Sequence, residues 1–134
     1  MKILIVEDNK SQSASLECLL ESYGCECRIA EYGSEAIRLV NEYELWAFDC
    51  AIIDMSLRDE ADGTENKDTS GGIKVAREMQ KRNLPFIILS DHCPPQSPNF
   101  DKLTKEFKVD GSAVYTKPTR PRILYEHLLT LVKS

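Results

Sequence analysis

Three stretches of this chain are apolar without interruption, Ile3 to Val6, Ala51 to Ile53 and Phe86 to Leu89, and each runs straight into a polar side chain. A strand with one face in water alternates apolar and polar residues, whereas an unbroken apolar run suits a strand covered on both faces, the usual condition of a parallel sheet. Helical spacing fills the gaps. Ala14, Leu16, Leu19 and Leu20 give a helix ending near Tyr23-Gly24, with Gly24 as a left-handed stop, and a strand is expected over Cys25 to Ala30. Ala36, Ile37, Leu39, Val40 and Tyr43 give a second helix with Ser34 as its cap, and Ile73, Val75, Ala76 and Met79 a third. Ser97-Pro98 reads as a cap and first-turn proline opening a fourth, with Phe100, Leu103 and Phe107 as its stripe. Ala113 to Thr116 reads as the last strand, and Ile123, Leu124, Leu128, Leu129 and Val132 as the last helix.

Five strands alternating with five helices in 134 residues make one α/β domain over 1–134, too short for a closed barrel of eight units. Right-handed crossovers then lead to a doubly wound (βα)5 fold with parallel sheet order 2-1-3-4-5. The one irregularity is the segment 56–72, rich in charge and nearly devoid of apolar residues, which reads as a solvated surface excursion. It is not a calcium loop, because Ala61 and Gly63 fall where ligands would be needed if Asp59 came first.

Composition removes several function classes. With 22 acidic and 17 basic residues the net charge is -5, the wrong sign for a domain that binds phosphate backbones, so no direct nucleic-acid partner is expected. The five cysteines are odd in number, irregularly spaced and without a C-x-x-C pair, which argues against zinc or a disulfide framework and for buried thiols in a reducing cytoplasm. The four apolar residues before Glu7-Asp8 fall far short of a signal peptide's apolar region or a membrane span, so no membrane association is expected.

Chemistry collects where the strands end. Ile3 to Val6 ends in Glu7-Asp8, Ala51 to Ile53 in Asp54, Phe86 to Leu89 in Ser90 and Ala113 to Thr116 in Lys117-Pro118. Open parallel sheets bind ligands beyond the carboxyl ends of their strands at the point where the winding reverses, which in this order lies between the first and third strands. Glu7, Asp8 and Asp54 are expected to meet there. Three neighbouring carboxylates raise one another's pKa unless a cation compensates, and an all-oxygen donor set selects a hard ion such as Mg2+. With Lys117 and Ser90 alongside, the arrangement suits phosphoryl transfer to Asp54, the ammonium offsetting charge and the hydroxyl donating a hydrogen bond to the phosphoryl oxygens. Read singly, Asp8 also suits a cap for the first helix, Glu7 its positive end, Ser90 a turn and Lys117 a solvated position.

The pieces Ile3-Leu4-Ile5-Val6-Glu7-Asp8-Asn9, Ala51-Ile52-Ile53-Asp54-Met55, Ile87-Ile88-Leu89-Ser90 and Tyr115-Thr116-Lys117-Pro118, in this order along the whole chain, resemble the receiver domain of two-component response regulators. The resemblance implies a flavodoxin-like fold and a phosphorylation switch, not a turnover enzyme. It implies that Glu7 and Asp8 hold magnesium with Asp54 and the Ser56 backbone carbonyl, and that Asp54 takes its phosphoryl group from a sensor histidine kinase or phosphotransfer protein. It further implies that Ser90 is the switch hydroxyl, that Lys117 pairs with the phosphoryl group, and that Lys117-Pro118 is a cis peptide. A downstream output protein or domain would read the switch, the chain acting alone through protein contacts or as part of a longer regulator. Three positions depart from the pattern: Arg58 replaces a proline before a segment about ten residues longer than usual, Val114 stands where the switch aromatic is common with Tyr115 one later, and Asp91-His92 follow the hydroxyl where a small residue is favoured.

Two other functions compete. A phosphatase with an aspartyl nucleophile wants a second aspartate two residues later, where Ser56 stands. A receiver-like interaction module that is never phosphorylated would use the fold for docking alone, and the intact acidic pair, aspartate, hydroxyl and lysine argue against it.

Overall fold

The computed structural model describes residues 1–54, 71–90, 114–117 and 119–133. The expected helix after Ser97-Pro98, the Ser56 carbonyl, Asp91, His92, Cys93, Ala113 and the peptide into Pro118 lie outside them. Five strands, β1 (Lys2–Val6), β2 (Glu26–Ala30), β3 (Cys50–Asp54), β4 (Phe86–Ser90) and β5 (Val114–Thr116), form one sheet in the order β2-β1-β3-β4-β5. Every pairing is parallel. The helices among the described residues are α1 (Lys10–Ser22), α2 (Gly33–Asn41), α3 (Gly71–Lys81) and α4 (Pro121–Lys133).

The unbroken apolar runs are explained by a core on each side of the sheet. Leu4, Val6, Ala51, Ile53 and Ile88 pack against Leu39 and Val40 of α2 and Val75 and Met79 of α3. Their neighbours Ile3, Ile5, Ile52, Ile87 and Leu89 point the other way, onto Leu16 and Leu20 of α1 and Leu124 and Leu128 of α4. Successive strand residues face opposite sides, so both parities must be apolar where both faces are covered. Cys25 and Cys50 are buried in the second of these cores and Cys27 packs at its edge, while Cys18 on α1 is exposed.

Several local expectations shift. Ser34 does not cap α2: the helix starts at Gly33 behind Tyr32, and the Glu35 carboxylate accepts the Glu31 backbone N–H at 3.2 Å instead. That helix ends at Asn41, and Tyr43 opens a separate 3-10 turn to Leu45. The charged segment 56–72 gives way to helix by Gly71, two residues earlier than its composition suggests. Gly24 adopts φ +87°, the left-handed stop expected after α1, and its amide donates to the Glu21 carbonyl at 2.9 Å.

The register sets up the site. Val6 pairs with Ile53, so the chain leaves β1 at Glu7 level with Asp54 at the end of β3, and Asp54 in turn pairs with Leu89, one residue before Ser90. At Gly24 an added Cβ would meet nothing within 4 Å, so Gly24→Ala isolates the left-handed backbone cost. Urea denaturation should show a loss of about 1 kcal/mol, whereas Ile52→Ala, removing a side chain only 1% exposed between α1, α4 and the sheet, should cost about 2–5 kcal/mol.

Candidate functional site

The end of β1 is shaped by two competing capping residues. The Asn9 side chain accepts the Gln12 amide at 3.0 Å and is the N-cap of α1, while its own amide donates to Glu7 Oε1 at 3.2 Å. Asp8, read from the sequence as an alternative cap, instead joins the carboxylates. The Glu7 amide donates to the Ala30 carbonyl at 3.0 Å, which carries the β1–β2 ladder one residue past the strand and holds the Glu7 backbone in place.

Glu7, Asp8 and Asp54 converge as expected, with one carboxylate oxygen from each lying within 4.8 Å of the others. Glu7 is 5% and Asp54 2% exposed. Lys117, directly after β5, reaches into this cluster. Its ammonium lies 2.9 Å from Glu7 Oε2 and 3.3 Å from Asp54 Oδ1, and it donates to Gln12 Oε1 at 3.1 Å. The Lys117 amide donates to the Ser90 carbonyl at 3.0 Å, tying the ends of β4 and β5 together. Ser90 is half-buried on the strand beside Asp54. Glu7, Asp8, Asp54, Ser90 and Lys117 therefore all lie at the carboxyl edge of the sheet.

Electrostatics follow from this crowding. Burial and the Asp54 charge push the Glu7 carboxyl up to about 7, against the pull of Lys117 and the Asn9 amide. For Lys117, burial alone would lower the pKa, but the hydrogen bond to Glu7 and the charges of Asp54 and Glu7 outweigh it and raise the value. Among the described residues one ammonium sits amid three carboxylates, and every candidate donor is an oxygen. The residues fit a hard divalent cation such as magnesium.

Two contacts here were not legible beforehand. Tyr115 lies with the core on the α1 and α4 side of the sheet, its hydroxyl 2.6 Å from His127 Nδ1 and its ring edge-on to the imidazole. Gln12 reads in the sequence as one more polar helix position, yet with Glu7, Ser15, Leu89, Lys117 and Thr119 it lines a cavity of about 360 Å3 beside the carboxylates.

The raised Glu7 pKa sets a pH dependence. In the folded chain without a divalent ion Glu7 binds its proton more tightly than in the unfolded chain, so its contribution to stability is full below about 4.5 and is lost as pH rises through about 7. Metal-free protein should lose roughly 1–3 kcal/mol in denaturant titrations between pH 5 and pH 8. Glu7→Gln should flatten that slope.

Among the described residues no helix is long and apolar enough to cross a membrane. Comparison with known proteins agrees with the geometry. The chain is 28% identical over 120 residues to the cell cycle transcriptional regulator CtrA of Caulobacter vibrioides, a match covering 88% of this chain and 44% of that protein, so the chain spans less than half the length of this curated relative. The fold is similar to the Francisella response regulator 1452 receiver domain (TM-score 0.72, 24% identity, 98% of this chain and 96% of that one). It is similar also to a CheY-like receiver domain protein from Methanospirillum hungatei JF-1 (TM-score 0.72, 22% identity, 98% and 93%). The sequence pattern of the response regulator receiver domain matches residues 3–128, nearly the whole chain with the carboxylate cluster and Lys117 inside it, and the chain belongs to that family.

Proposed function

We propose that residues 1–134 form one receiver unit in which Asp54 accepts a phosphoryl group from a sensor histidine kinase or phosphotransfer protein. Receiver domains are phosphoacceptor switches and not turnover enzymes. The observation that carries the assignment to Asp54 is its burial beside an ammonium 3.3 Å away, within a cluster of carboxylates. An Asp54 oxygen forms the new bond to phosphorus as the phosphorus–nitrogen bond of the donor's phosphohistidine breaks and the imidazole takes up a proton. Lys117 offsets charge on the phosphoryl oxygens, and Ser90, at the neighbouring strand end, donates a hydrogen bond to one of them. Glu7, Asp8 and Asp54 would hold Mg2+, with the Ser56 carbonyl as a further ligand by family likeness; when bound, the ion would supply positive charge for the incoming phosphoryl group.

The reading extends to output. Phosphorylation would bias a surface that includes β5 and α4, read in the cytoplasm by an output protein or domain; the fourth helix expected from the sequence as part of it lies outside the described residues. The alternative, an unphosphorylated docking module, gains some support from Tyr115, which is engaged with His127 on the α1 and α4 side of the sheet. The test is incubation with acetyl phosphate and Mg2+ followed by intact-mass measurement. The native chain should gain one phosphoryl group, Asp54→Asn none, and chelation of Mg2+ should abolish the gain. Lys117→Ala should slow it on the order of tenfold to a hundredfold. A native chain that never gains mass under these conditions would favour the docking module.

A further inference from the structure

We infer that Gln12 is a positioning residue whose side-chain carbonyl orients the Lys117 ammonium and so sets how fast Asp54 takes up its phosphoryl group. The inference deepens the reading of Asp54 as acceptor and rests on it.

An ammonium has three N–H donors and no acceptor. Among the described residues Lys117 Nζ meets three acceptors from three elements: Glu7 Oε2 at 2.9 Å past β1, Gln12 Oε1 at 3.1 Å in the first turn of α1, and Asp54 Oδ1 at 3.3 Å at the end of β3. Three acceptors from three elements restrict the rotation that a lysine otherwise keeps. The Gln12 side chain reaches this place because of a diverted cap. Asn9-Lys10-Ser11-Gln12 has the spacing of a capping box, in which the glutamine would turn back to the amide of the capping residue. Only half the box forms: Asn9 caps the Gln12 amide at 3.0 Å, but the Asn9 amide is already given to Glu7 Oε1 at 3.2 Å. The Gln12 carbonyl is thereby directed to Lys117.

The amide also differs in kind from its two companions. Glu7 and Asp54 belong to the carboxylate cluster and would share their oxygens with a cation, while Gln12 offers the lysine a neutral amide carbonyl. It therefore remains with the lysine when the carboxylates are engaged elsewhere. Being neutral, it orients the ammonium without repelling an incoming phosphoryl group, as a carboxylate at the same place would.

Gln12 is exposed, so Gln12→Met removes the acceptor with little change of length or helix preference. With acetyl phosphate and Mg2+, Gln12→Met should lower the limiting rate of phosphorylation by roughly three- to tenfold, the scale of one hydrogen bond to a charged group, with the half-saturating donor concentration and the melting temperature unchanged. In a Lys117→Ala background the same substitution should have no further effect. A native limiting rate in Gln12→Met, or an undiminished loss when Lys117 is absent, overturns the inference. A second measurement needs no phosphoryl donor: nitrogen-15 NMR should show a solvent-protected Lys117 ammonium in the native chain, lost in Gln12→Met and restored in Gln12→Glu. Should the native chain never be phosphorylated, the acceptor reading fails separately, and the ammonium signal decides alone: identical signals in native and Gln12→Met protein refute the role of Gln12.

Discussion

The contact on which the site depends is the Lys117 ammonium set between two buried carboxylates. Glu7 and Asp54 are 5% and 2% exposed, and such groups are costly to bury without a partner of opposite charge. The lysine comes from the far end of the chain, 110 residues from Glu7, and only the parallel stacking of β1, β3, β4 and β5 brings its backbone level with theirs. The sheet, in this sense, is the device that makes three distant polar residues neighbours.

That sheet divides its work between its faces and its edge. Helices cover both faces of the central strands, so the interiors of β1, β3 and β4 are apolar on both sides, and polar chemistry is displaced to where those strands stop. Among the described residues, the carboxyl edge then gathers three carboxylates around one lysine. Burial, with the Asp54 charge, raises the Glu7 pKa to about 7, and the all-oxygen cluster fits a divalent cation. A proton and a cation would compete for the same carboxylate, which would link cation binding by the cluster to the stability of the fold without it.

Residues close together at the end of β5 meet different surroundings. Lys117 turns into the carboxylate cluster beyond the strand end, while Tyr115, two residues earlier, sits in the core on the α1 and α4 side and meets His127. A one-place offset of an aromatic from the position usual in receiver domains carries it to the opposite side of the sheet, because the side-chain period of a strand is two.

Sequence alone determined β1, β3 and β4 and the gathering of Glu7, Asp8 and Asp54, because an unbroken apolar run suits a strand covered on both faces and the residue that ends it lies at the sheet's edge, and the alternation of strands with helices determined the parallel order. It also determined the stop at Gly24, where a single backbone conformation is at issue. Which of Asp8 and Asn9 caps α1, why Ser34 does not cap α2, and where the Gln12 side chain goes were decided only by tertiary structure. Each turns on whether a nearby donor or acceptor is already engaged: the Asn9 amide by Glu7, the Gln12 carbonyl by a lysine 105 residues away. Local preference ranks the candidates within a turn, but a hydrogen bond has two ends, and the far end is set by the fold.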